Sequence, residues 1–309
     1  MTDDTAPSPR TDDDTPWKEA LEGYFPEFLA LLFPDVHRGI DWSRGHRFLD
    51  KEFQQIVRDA RTGRRYADKL VGVHRLDGRP AWVLVHAEVQ GKPEAAFAGR
   101  MFAYNQRIRD VHAVPVASLA VLADADPRFR PERYRDELWG CAIDFHFPVT
   151  KLLDWDTPER WPCWRPAMSF APVVMTQIRA KATKDAEKRR AWKFRLMRLM
   201  YDRGYERKTI LELFRVVDWM LQLPAALEAA FRHDLYAFEE SKQMPYVTTV
   251  ERIGYHKGET DLLLWQIEKK FGSDAISSVR QRIEAADNDK LRLWSERILT
   301  ADTVDTIFH

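Results

Sequence analysis

An α/β fold built on a mixed sheet is what the sequence predicts, and three features carry the prediction. Two strand-like runs within residues 66–90 meet at an Asp77-Gly78 turn. A continuous apolar run at 115–124 (PVASLAVLAD) follows a helix-patterned stretch and reads as a buried central strand. From Pro166 onward the apolar spacing is helical. The order helix, strand, strand, helix, strand and further strand gives a sheet sandwiched by helices, followed by an all-α region and a small helical C-terminal domain. The expected divisions are an acidic disordered tail at 1–16, an α/β core at 17–160, a helical extension of that core at 161–243 and the small helical domain at 244–309.

Taken in order, the first sixteen residues carry five Asp against Arg10 and almost nothing apolar, a composition that cannot bury enough surface to fold. Leu21, Tyr24, Phe25, Phe28, Leu29, Leu32 and Phe33 then recur at helical spacing, with Pro26 dividing the run and Pro34 expected to end it. Leu49, Phe53, Ile56 and Val57 form the stripe of a second helix near Asp50, and Glu52 falls inside that stripe. A carboxylate on a buried face needs a partner, so Glu52 either serves a metal or pairs with Arg64 or Arg65. Phe97, Met101, Tyr104 and Ile108 define a helix at 94–109, and Arg100, Tyr104 and Arg107 line one flank of it. Residues 138–147 read as a further strand, with Ile143, Phe145 and Phe147 alternating. Helices are expected at 173–182, 186–203, 208–221 and 225–242, then three more after Met244-Pro245. Leu262, Leu263, Leu264, Ile267 and Phe271 are to pack the first of these, and Gly272 is to cap it. Ile276, Val279 and Ile283 suit the second; Leu291, Leu293, Trp294, Ile298 and Leu299 suit the third.

With 309 residues, 45% hydrophobic and 31% charged, the chain has the composition of a soluble globular protein with two domains, or one core with appendages. No apolar run approaches the ~18 residues of a membrane span, so no membrane partner is expected. Two cysteines, Cys141 and Cys163, exclude a disulfide framework and a cysteine-based zinc site of the usual spacing. Without a basic and apolar leader at the N-terminus, a reducing cytoplasmic setting is expected. The net charge is zero, yet residues 176–215 hold thirteen Lys or Arg against five acids, so the charge is polarised. That stretch is either a DNA path or the solvated face of amphipathic helices.

The 66–90 hairpin carries the chemistry. In the strand at 81–90, Trp82, Leu84, His86, Glu88 and Gln90 share one face, and Glu88 and Gln90 are about 7 Å apart at the strand rise of roughly 3.3 Å per residue. Hairpin pairing can bring Asp68 beside them. Two carboxylates with an adjacent strand carbonyl, that of Val89, suit a hard divalent ion such as Mg²⁺, with Mn²⁺ as a substitute. Gln90 would then orient the attacking water. His86 reads as a hydrogen-bonded core residue. Arg100 and Tyr104 are assigned to substrate phosphate, although they can equally pack and pair locally.

These residues show a resemblance. A D…ExQ arrangement between a helix bearing Glu52 and a helix bearing Arg100 and Tyr104 resembles the PD-(D/E)XK nuclease superfamily. More narrowly, FLDKEFQQIVRDA, YADKLV, HAEVQG, RMFAYN, PVASLAVLAD, LELFRVVDWM and MPYVTTVERIG resemble the recombination-promoting nuclease / putative transposase family. The last ~50 residues are similar to a small helical domain that often follows such nucleases. The resemblance implies a metal-dependent DNA endonuclease associated with recombination or mobile elements, with Asp68 and Glu88 as metal ligands and Glu52 as a helical acid. Gln90 stands where most of the superfamily has Lys, and a neutral amide cannot neutralise transition-state charge.

Two alternatives stand beside this reading, the first favoured by that departure and by the balanced charge, the second taking the transposase resemblance literally. One is a weak or inactive nuclease fold acting as a DNA-binding or protein-interaction module. The other is strand transfer by three acids, with Glu132 or Glu137 supplying the third from a downstream helix. The C-terminal helices, which carry apolar stripes and no catalytic cluster, are read as a surface for self-association.

Overall fold

In the computed structural model, which describes residues 14–49, 51, 53, 67–88, 95–157 and 169–308, the N-terminal apolar periodicity becomes three short helices. These are α1 (Asp14–Gly23), α2 (Phe25–Leu32) and α3 (Pro34–Arg38). Pro26 lies in the first turn of α2 and separates it from α1. Pro34, expected to end the run, instead opens α3, because a first-turn proline lacks only an N–H that would have had no intrahelical acceptor. Trp17, Leu21, Phe25, Phe28 and Leu29 are fully buried.

The sheet grows from the hairpin. β1 (Arg47–Phe48) pairs antiparallel with β2 (Ala67–His74), and β2 pairs antiparallel with β3 (Pro80–Glu88) from Ala67↔Ala87 to His74↔Pro80. The bend between β2 and β3 puts Gly78 at φ +80, and its N–H donates to the Arg75 carbonyl at 2.8 Å. Asp77 accepts from the backbone N–H of Arg79 at 3.1 Å and from its Nε at 2.9 Å. Those bonds hold the Asp77 carboxyl below the usual carboxylate range. After helix α4 (Phe97–His112), β4 (Val116–Leu122) lies parallel to β3. A parallel neighbour requires a crossover, and α4 supplies it.

Beyond β4 the chain departs from expectation. Of the strand expected at 138–147, Cys141–His146 is a strand, but the stretch opens on the end of another strand and a turn. Trp139 and Gly140 take φ values of 50 and 83, and Leu138 faces Cys141 across the turn. Two consecutive positive φ values are the signature of a type I′ hairpin turn. The result is a separate two-stranded sheet of β5 (Arg133–Leu138) and β6 (Cys141–His146). β7 (Val149–Lys151) then returns beside β4 in parallel, completing a mixed five-stranded sheet in the order β1-β2-β3-β4-β7.

The two faces of this sheet have different covers. Leu70 and Leu84 pack with Leu49, Phe53, Tyr104 and Ile108, while Ala120 and Leu122 pack with Phe97, Met101 and Phe147, so α4 lies across one face. Asn105 fastens it there, its Nδ2 donating to the Val116 carbonyl at 3.1 Å and to Ser118 Oγ at 2.9 Å. On the other face Val71, Val73, Val83 and Val85 are buried, and Lys69 reaches Glu22 of α1.

Four helices follow: α5 (Ala171–Ala182), α6 (Ala186–Asp202), α7 (Arg207–Met220) and α8 (Ala225–Lys242). Every residue of α5 from Ala171 to Ile178 is buried, the pattern of a helix surrounded on all sides. Part of the basic stretch is used internally, although eight of its thirteen Lys and Arg are exposed. Lys193 is fully buried, with Nζ 2.6 Å from Asp218 and 2.7 Å from Glu228, and it lies 4.6 Å over the Phe231 ring. Arg190 pairs with Asp234, Arg179 pairs with Asp156, and Arg189 donates to two carbonyls.

The chain divides into two compact units, Met1–Asp234 and Leu235–His309, and the division falls within α8. The second unit contains α9 (Tyr246–Phe271), α10 (Ser273–Glu284), α11 (Asn288–Arg297) and α12 (Val304–Ile307) around a core of Leu263, Ile267, Ile283, Leu291, Trp294 and Ile307. The buried Glu239 carboxylate accepts from the Val247 and Thr248 N–H groups at 2.8 and 3.0 Å, capping the start of α9. Gly272, at φ +90, ends α9 as expected. Leu262, Leu293 and Leu299 do not pack as expected. They are 51%, 43% and 75% exposed, because the buried stripe of α9 runs through 260, 263, 264 and 267 and leaves 262 on the opposite side. No helix among the described residues is long and apolar enough to cross a membrane.

Replacing Lys193 by Met keeps its length and removes the cation between two carboxylates. The expected loss is about 3 kcal/mol of stability, measured by urea unfolding of the N-terminal unit's transition. An unchanged midpoint would show that Asp218 and Glu228, both partly exposed, are sufficiently solvated without it.

Candidate functional site

The register of β2 on β3 decides which residues share a face. Asp68 pairs with His86, so register positions 68, 86 and 88 belong to the same face as Leu70 and Leu84, the face that α4 covers. Positions 68 and 88 are diagonal neighbours, roughly 7–8 Å apart between backbones. Glu88 is opposite Leu122 on β4, and Leu122 packs against Phe97 and Met101 at the start of α4. The guanidinium of Arg100 lies 5.6 Å over the Phe97 ring. A chain of direct neighbours therefore leads from the Glu88 end of β3 to Arg100. The side chains of Asp68 and Glu88 lie outside the described residues, as do Glu52, Val89 and Gln90 altogether. Among the described residues no group of three or more His, Cys, Asp or Glu side chains is arranged to hold a metal ion.

Beside this end of the sheet is a cleft of about 690 Å³ between α4 and β5. Arg100, Tyr104 and Arg107 line it from the helix, and Arg133, Tyr134 and Arg135 from the strand. Among the described residues, four arginines and no carboxylate line the space. Tyr134 stacks on Phe102 with ring centroids 4.9 Å apart and planes 15° apart, which holds the hairpin against the helix. Tyr104 is only 4% exposed and belongs to the core as well as to the cleft, its ring meeting Phe53 edge-on at 6.0 Å. Arg133 is braced by Asp144, with Nε to Oδ1 at 2.7 Å, and Arg135 by Glu137 at 2.9 Å. Arg107, half-buried, makes no ion pair or hydrogen bond among the described residues.

Sequence reasoning found Arg100 and Tyr104 but missed Arg133, Tyr134 and Arg135, because a strand that begins 21 residues after the helix ends gives no spacing signal. Arg107 was visible on the right flank. A second missed feature is the ion pair of Lys151 on β7 with Asp124 after β4, at 2.5 Å with both side chains essentially inaccessible. It is a structural clamp on the β4–β7 edge, since each charge would be costly to bury alone. Glu132 and Glu137, nominated as a helix-borne third acid, are not on a helix: Glu132 immediately precedes β5, and Glu137 lies within it beside Arg135.

The cleft wall is acid-sensitive. The hydrogen bond and charge of Arg133 hold the Asp144 carboxyl below its ordinary range, so the unfolded chain takes up this proton first. The pair contributes in full above the ordinary carboxylate pKa of about 3.9 and is lost as pH falls through the lower native value. A carbon-detected NMR titration should follow Asp144 to below pH 3.9, and Arg133→Gln should return it to the ordinary range. An unshifted Asp144 in the parent chain would remove the brace.

The chain matches no family model, no curated protein and no solved structure.

Proposed function

We propose that this chain is a divalent-metal-dependent DNA endonuclease of the PD-(D/E)XK type, related to the recombination-promoting nucleases. The observation that carries the reading is the common face of register positions 68 and 88, at the end of the sheet adjoining an arginine-lined cleft. Cleavage of a phosphodiester asks for oxygen ligands in one place and cations for the scissile phosphate in the next, and this layout offers both.

The donor chemistry fits a hard ion, because Mg²⁺ takes one or two carboxylates and keeps water and substrate oxygens as its other ligands. Asp68 and Glu88 would hold it, with the Val89 carbonyl as the third protein oxygen. Bound there, the ion would offset phosphate charge and make water more acidic. Gln90 orients water through its amide, and Glu52 is the helical acid of the set. Arg100 takes a substrate phosphate on the cleft wall, with the phenol of Tyr104 beside it. The C-terminal unit, with Leu262, Trp265 and Leu299 exposed, is proposed as a surface for self-association. Truncation before Val247 would then lower the mass seen by light scattering.

A catalytically silent DNA-binding module is the second reading, and the neutral Gln90 is what favours it. Nicking of supercoiled plasmid in Mg²⁺ or Mn²⁺ separates the two. Asp68→Ala and Glu88→Ala should each slow nicking by roughly 10²-fold or more, the equivalent of losing a few kcal/mol of transition-state stabilisation. Gln90→Lys should quicken it. If wild type leaves the plasmid supercoiled, or the alanine variants nick as fast as wild type, the endonuclease reading is lost.

A further inference from the structure

The β5–β6 hairpin breaks two local rules at its tip. The first position of its type I′ turn is Trp139, at φ 50, where Asn, Asp or Gly would sit without strain. The same residue is 97% exposed, and Leu138 beside it is 61% exposed. Nothing in the packing of this unit requires a tryptophan there. Rule-breaking that the fold does not need is expected where a protein meets a ligand.

The base of the same hairpin forms one wall of the arginine cleft. Arg135 and Trp139 are four residues apart on a strand that rises about 3.3 Å per residue, so the tip stands roughly 13 Å from the nearest cleft arginine. That is a span of about two nucleotides of an extended strand. Phosphates suit the cleft, where Arg107 is without an ion-pair partner among the described residues, while Arg133 and Arg135 are held in place by Asp144 and Glu137. A flat, fully accessible indole suits an unstacked base, which every nucleobase can offer through its π-face. In an intact duplex the bases are stacked inward and unavailable to such a tip.

We infer that the β5–β6 hairpin is a nucleic-acid arm: the cleft at its base holds the sugar–phosphate backbone and Trp139 at its tip stacks on an unpaired base, so that the preferred DNA has single-stranded character. This rests on DNA being the partner of the proposed site, and not on cleavage. Asp144 and Glu137 hold Arg133 and Arg135 without themselves lining the cleft.

Binding of a fluorescent 20-mer, single-stranded or duplex, by the full chain in EDTA tests this without hydrolysis. Single strand should bind more tightly than duplex. Trp139→Ala should weaken single-strand binding roughly tenfold while leaving duplex binding nearly unchanged, and Trp139→Phe should restore most of it. Arg107→Ala with Arg135→Ala should reduce the salt slope for single strand by about 1.4, as expected for two phosphates. Tighter binding of duplex, or Trp139→Ala binding like wild type, overturns the inference. So does a fall in molecular mass on Trp139→Ala, which would assign the tip to contacts between protein chains. Plasmid nicking by a chain that fails these binding tests would leave the endonuclease reading standing alone, and strand binding without nicking would do the reverse.

Discussion

A one-residue slip of β2 along β3 would turn Leu70 away from Leu84, strip α4 of the surface it covers, and send position 68 to the opposite face from position 88. That register is therefore the constraint on which both the core and the candidate site depend. It is held at one end by the Arg75–Arg79 bend, with Gly78 in the left-handed region and Asp77 locked to Arg79. It is held along its length by burial of Leu70, Val71, Leu84 and Val85, each worth about 1.5–3 kcal/mol when fully removed from water. Because β3 also carries the parallel partner β4, the same register fixes where α4 must cross and where its arginines emerge.

Two lysines of this protein, Lys193 and Lys151, are buried in ion pairs rather than displayed on the surface. Lys193 joins three helices through Asp218 and Glu228, and Lys151 clamps the β4–β7 edge through Asp124. A stretch with an excess of eight positive charges thus contributes less to the outside than its composition implies. Four arginines from two separate segments meet instead at the cleft between α4 and β5, two of them paired with Asp144 and Glu137. Local concentration of one sign in a concave space raises the effective field even when the total is zero.

The hairpin of β5 and β6 links the rigid part of the molecule to the proposed ligand. Its base is anchored by stacking of Tyr134 on Phe102 and by the Arg133–Asp144 pair. Its tip is almost fully exposed and presents an indole in a backbone conformation that such residues seldom take. A rigid base with an exposed aromatic end is the arrangement that positions a stacking contact at low entropic cost, since tryptophan has few rotatable bonds to restrict.

The sequence by itself determined the α/β class, the 67–88 hairpin with its Asp77-Gly78 bend, the buried strand at 116–122 and the helices from 171 to 242 to within two residues at their ends. Each of these rests on short-range periodicity and turn chemistry, which are written locally. It also marked Arg100 and Arg107 as neighbours along one helix flank. Only the tertiary structure decided that the strand expected at 138–147 is preceded by a turn at Trp139-Gly140 and pairs with a second strand at 133–138, because the alternation of Ile143, Phe145 and Phe147 reads the same either way and Trp139 is an unusual turn residue. The partnership of Arg133 and Arg135 with α4, the Lys151–Asp124 clamp and the burial of Lys193 were likewise invisible, since each joins residues that no local period relates. The exposure of Leu262 and Leu299 makes the same point from the other side: hydrophobic identity says what can be buried, while the angle around a packed helix says what is.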